Sequence, residues 1–84
     1  MLSQWSWMIS LLGSVCVIAE EDPGSHQYVW AQILRASSLQ RDGDLLVATI
    51  TDVFVKNRWW PCPEQTLTIP FHNIACWEVH RGQA

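Results

Sequence analysis

The sequence predicts a small α+β protein, rich in β structure, with about five antiparallel strands in a strongly bent sheet and one helix, in the order ββαβββ. Two observations carry this. The run Leu45-Leu46-Val47-Ala48-Thr49-Ile50-Thr51-Asp52-Val53-Phe54-Val55 is long, apolar and rich in β-branched residues, as a central strand requires. Several shorter segments alternate apolar and polar residues between clear turn signals. The chain has 84 residues, which is one domain, residues 1–84.

The elements follow in order. Trp5, Trp7, Ile9 and Leu11 alternate with mostly polar neighbours, the period of a strand. Gly13-Ser14 suits a two-residue turn, and Val15 to Glu20 then returns as the second strand of a hairpin. A helical reading competes over residues 2–12, where Trp5, Met8, Ile9 and Leu12 share a face and Gly13 is the stop. Asp22-Pro23-Gly24-Ser25 breaks the chain. His26 to Gln40 is expected to be the helix. Val29, Trp30, Ile33, Leu34 and Ala36 lie on one broad helical face, whereas as a strand neither face is clean.

Arg41-Asp42-Gly43-Asp44 is a turn into the central strand, residues 45–55. Alternation there places Leu46, Ala48, Ile50 and Phe54 on one side, and Leu45, Val47, Val53 and Val55 on the other. Lys56 to Gln65 is expected to be a loop, because Pro61 and Pro63 disfavour a regular central strand. Thr66 to Ile69 is a short strand and Pro70 to Asn73 a turn. Ile74 to His80 is the last strand, with Ala75, Trp77 and Val79 on one face, and residues 81–84 form a tail. The alternative architecture is an N-terminal helix followed by a five-stranded small barrel of the SH3 or Sm-like kind. The segment Ile69-Pro70-Phe71-His72-Asn73-Ile74-Ala75 resembles the last motif of Sm-like proteins. It covers about a tenth of the chain, and the upstream half of that signature is absent, so no family is assigned.

Composition constrains function more than any motif does. Six tryptophans in 84 residues are hard to hide in one small core. A domain of this size buries only about 60–65% of the surface of its unfolded chain. Two or three are expected in the core, and the others at an interface or in a groove, where tryptophan is enriched. Charged residues are only 15% of the chain, below the usual quarter or so. A homo-oligomer, a dimer or larger, is the simplest cover for the excess aromatic surface. The net charge is −3, and Lys56 and Arg58 are the only close pair among five basic residues, which argues against nucleic acid.

No sequence feature signals an enzyme, a cofactor or a metal. His72, Cys76 and His80 recur every fourth residue. On an extended strand such steps are about 13 Å apart, too far for one ion. Three cysteines, Cys16, Cys62 and Cys76, make no disulfide framework and fit reduced, mostly buried thiols in the cytoplasm. The apolar stretch ending at Ala19 has some likeness to a signal peptide, which would make residues 1–19 a leader of a secreted or periplasmic protein with a Cys62–Cys76 bridge. No Lys or Arg precedes that stretch, and it is too interrupted to span a bilayer as a helix.

The candidate surface is Arg58-Trp59-Trp60-Pro61-Cys62-Pro63, where prolines hold rigid aromatics. Trp59, Trp60, Trp77, Tyr28, His72 and Arg58 are the candidate ligand- or partner-binding residues. The expected function is a non-enzymatic, self-associating interaction protein that uses tryptophan-rich surfaces. The alternative is a small-molecule binding protein, or a small oligomeric enzyme, whose pocket lies at a subunit interface and is lined by Trp60, Trp77, Tyr28 and His72.

Overall fold

The computed structural model describes residues 5–81, and the side chains of residues 6–79. Five strands form one antiparallel sheet: β1 (Trp5–Glu20), β2 (His26–Asp42), β3 (Leu45–Val55), β4 (Arg58–Pro70) and β5 (Ile74–Arg81). Their spatial order is β4-β3-β2-β1-β5. A single turn of 3-10 helix, Phe71–Asn73, joins β4 to β5.

The expected helix at His26–Gln40 is overturned. That segment belongs to the 17-residue strand β2, so neither the α+β class nor the order ββαβββ holds. The reason lies in the register. The inward residues of β2 are Val29, Ala31, Leu34, Ala36 and Leu39, at steps of two, three, two and three. Each step of three coincides with a register shift against a neighbour, opposite Ser10/Val15 of β1 and around Ala36 to Ser38 against β3. A bulge inserts a residue and reverses which face the following side chains occupy. A strand that slips phase twice loses the alternation by which strands are recognised.

The hairpin at Gly13-Ser14 and the competing N-terminal helix are both overturned by β1. This strand runs unbroken from Trp5 to Glu20, and residues 2–4 of the competing helix lie outside the described residues. Gly13 and Ser14 sit in the irregular stretch between Ser10 and Val15, where the register shifts without the chain reversing. The SH3 or Sm-like alternative therefore fails at its helix. The expected loop at Lys56–Gln65 is mostly strand as well. Lys56 and Asn57 both adopt positive φ, 53° and 67°, and make a two-residue turn of the mirror-image kind that matches strand twist. Pro61 and Pro63 are accommodated because β4 ends the sheet order.

The core is entirely apolar. Ile9, Leu34, Ile50, Ile69, Val17 and Val53 are its largest fully buried side chains. Leu46, Ala48 and Ile50 face inward as expected, but a register shift between Ile50 and Asp52 puts Val53 inside and leaves Phe54 half-buried outside. At Asp22–Ser25 the turn places Pro23 first and Gly24 second, with Gly24 at φ 81° and the Ser25 N–H donating to the Asp22 carbonyl at 2.9 Å.

Candidate functional site

The long strand β1 changes neighbours halfway. Trp5 to Leu11 pairs with β5 on one side, while Val15 to Glu20 faces β4. No backbone ladder joins β1 to β4 among the described residues; a side chain does the joining. The Gln65 amide donates to the Ile18 carbonyl at 2.7 Å and accepts from the Ile18 N–H at 3.3 Å. Asn73 does the same for Gly13, accepting from its N–H at 2.7 Å and donating to its carbonyl at 3.2 Å. A Cβ at position 13 would lie 3.2 Å from the Asn73 Oδ1, so glycine permits this approach. Gln32 donates to the Leu11 and Leu12 carbonyls at 3.2 and 3.0 Å. Three side-chain amides thus satisfy backbone groups that the change of neighbour leaves without a strand partner.

At the β5 end the sheet is open. Trp77 pairs with Ile9, and Val79 with Trp7, so both share the inward face. Ile9 is fully buried, yet Trp77 is 49% exposed and Val79 53%. The cause is topological: among the described residues, β1 is the only strand beside β5. A cleft of about 530 Å³ opens here, lined by Trp7, Leu39, Arg41, Leu46, Phe71 and Trp77. The Phe71 and Trp77 rings meet at 6.0 Å with a 55° tilt. The Arg41 guanidinium lies 5.4 Å from the Phe71 ring centre, and its Nε donates to the Gly43 carbonyl at 3.0 Å. The cleft therefore offers aromatic surface with one cation at its rim.

The sequence-predicted residues are scattered. Trp60 is 2% exposed, a core residue, and its Nε1 has no hydrogen-bond partner. Trp59 faces the other way, half-buried on the outer surface. The Arg35 guanidinium stacks over it at 4.1 Å, and Phe54 meets it edge-on at 5.3 Å. Arg58 lies 5.0 Å from the Trp60 ring centre and donates to the Glu21 carbonyl at 3.0 Å. Tyr28 sits far from Trp77 in the sheet, on the outer face of β2 beside Trp30, and the two are 75% and 69% exposed. His72 is exposed on the 3-10 turn and does not line the cleft. Of the predicted set, only Trp77 belongs to the cleft. Trp7, Phe71 and Arg41 were missed there. The alternation of Trp7 with Ile9 was visible, but its pairing with β5 is a long-range register that no local pattern states.

All three cysteines are free, so the Cys62–Cys76 bridge does not form, and Cys16 and Cys76 are exposed rather than buried. Cys62 is half-buried. Burial pushes its thiol up to about 11, with the Asp52 and Glu20 carboxylates adding to the effect, so it stays protonated and unreactive near neutrality. Among the described residues no three His, Cys, Asp or Glu side chains gather as metal ligands, and no helix is long and apolar enough to cross a membrane. Comparison with known proteins returned no match: no family model, no curated protein and no solved structure is similar to the chain.

Proposed function

We propose that this chain is a non-enzymatic binding protein that self-associates through its aromatic surfaces. One observation carries the reading. Trp77 and Val79 point inward by register and yet remain about half exposed, because among the described residues β5 has a neighbour on one side only. An exposed apolar surface beside an open strand edge is what association covers. The cleft beside them also supports a second reading, a planar apolar ligand carrying a negative group, held between Phe71 and Trp77 near Arg41.

Light scattering after size-exclusion chromatography tests the first reading. The expected mass is at least twice 9.6 kDa, falling to one copy in Trp77→Ala while the circular dichroism stays that of a folded sheet. A monomer at high concentration for the unaltered chain would overturn self-association and leave the cleft to the small-ligand reading.

A further inference from the structure

We propose that copies of the chain associate by seating an aromatic ridge of one copy, Tyr28 and Trp30, in the Trp77 cleft of another. The inference rests on the self-association reading and adds the two surfaces that meet. The ridge stands on a ribbon formed by residues 15–20 of β1 and 26–31 of β2, which pair in unbroken register. Among the described residues, β3 pairs with β2 no nearer the Asp22–Ser25 turn than Ile33, so the ribbon extends beyond β3. Its inward residues Val17, Ala19 and Ala31 are buried. Its outward residues Tyr28 and Trp30 are 75% and 69% exposed, with Ile18 and Cys16 opposite them on β1. Two large rings two residues apart on one strand face make a stiff projection.

The cleft is the hollow counterpart of this projection. A cavity of about 150 Å³ suffices for one benzene ring. At about 530 Å³, with Trp7, Leu39, Leu46, Phe71 and Trp77 around it, the cleft has room for both rings of the ridge. One molecule cannot fill its own cleft, because the ridge faces outward from the far end of β2 while the cleft opens on the inward face beside β5. A ridge set against a ridge leaves Trp77 exposed, and a cleft set against a cleft leaves Tyr28 and Trp30 exposed. A ridge seated in a cleft covers all three, which is the burial that favours association.

Charge selects the same pairing. The ridge ends in carboxylates: Glu20 follows Ile18 on the same outer face, and the exposed Glu21 and Asp22 continue into the turn. Glu20 accepts from the Gly24 N–H at 3.0 Å, which holds this acidic turn in place beside the ridge. The rim of the cleft carries Arg41. Its Nε donates to the Gly43 carbonyl, and its two terminal nitrogens suit a carboxylate. Ridge against ridge would set acidic turns together, and cleft against cleft would set Arg41 against Arg41, both unfavourable. The contact joins two different surfaces, so a copy that has lost one can still supply the other.

Complementation tests that property by light scattering, at a concentration where the unaltered chain is associated. Trp30→Ala removes the ridge and Trp77→Ala disables the cleft, and circular dichroism checks that each variant folds. Each alone is expected to run at one copy, its dissociation constant raised about 30-fold or more. Mixed in equal amounts, they are expected to return to a two-copy mass, because the ridge of the Trp77→Ala chain fits the cleft of the Trp30→Ala chain. A mixture that stays at one copy would overturn the pairing, and so would either variant that associates alone as the unaltered chain does. Should a variant fold poorly, the unaltered chain gives an independent readout. Cys16 is exposed and lies opposite Trp30, so its alkylation by iodoacetamide is expected to slow as the protein is concentrated into the associated range. A rate that does not change on association would remove the ridge from the contact. An unaltered chain that runs as a monomer would overturn self-association itself, a failure separate from these.

Discussion

The two halves of β1 run through the same sheet with the same alternation and finish in different surroundings. In the second half, Val17 and Ala19 are buried, and Trp60 of the nearby β4 is sealed in the core. In the first half, Ile9 is buried, but its β5 partners Trp77 and Val79 stand open to solvent. Side-chain type does not explain the contrast, since a tryptophan is buried at one end and half exposed at the other. The neighbour's own neighbour does. Both β4 and β5 are terminal strands, but β4 pairs with β3 on one edge and is bridged to β1 through Gln65 on the other, whereas among the described residues β5 pairs with β1 alone. A residue aimed inward is buried only when the strand carrying it is itself enclosed.

The largest expected effect tests the sealed end. Trp60→Ala should destabilise the fold by about 3–5 kcal/mol through the cavity it leaves, read as a lowered denaturant midpoint. A loss below about 1 kcal/mol would mean that the closed end is not closed, and the comparison would fail. Gln65→Ala should cost about 1–3 kcal/mol, because it strands the Ile18 N–H and carbonyl in a half-buried place. An unchanged midpoint would show that water serves β1 there as well as the amide does.

The smallest effect concerns pH. The Cys62 thiol titrates near 11 in the folded protein against an ordinary 9.0, so folding favours its protonated form. That contribution is fully present below pH 9.0 and is lost as pH rises through about 11. The unfolding midpoint should therefore fall across that window, and fall less in Cys62→Ala. Equal slopes in the two proteins would place the thiol in water rather than in the sealed half.

Part of this comparison is legible in the sequence. The β3 run, the turns at Asp22–Ser25 and Arg41–Asp44, and the last strand announce themselves through β-branched content, proline and glycine. Fewer tryptophans are buried than the two or three expected: of the five whose side chains are described, Trp60 alone is buried. What local patterns hide is phase. Bulges in β1, β2 and β3 reverse the faces, so His26–Gln40 imitates a helix and Phe54 changes places with Val53. The turn at Lys56-Asn57 lacks the glycine that usually marks its type. The cleft joins residues from β1, β2, β3, β5 and the 3-10 turn, and its membership depends on registers between distant segments.

The Gln65 bridge sets how the molecule breathes. A ladder of backbone bonds opens by peeling, one rung after another, and resists until many are broken. Between β1 and β4, among the described residues, the hydrogen bonds instead come from one rotatable side chain, Gln65. Swinging that amide away releases both of its bonds to Ile18 together, along with its bond to the Pro63 carbonyl, so the sheet has a latch where other strand pairs have a zipper. Motion at this latch is set by rotation about side-chain bonds, which is fast on the scale of strand separation. The closed half can therefore admit water briefly at Ile18 while its four ladders stay intact.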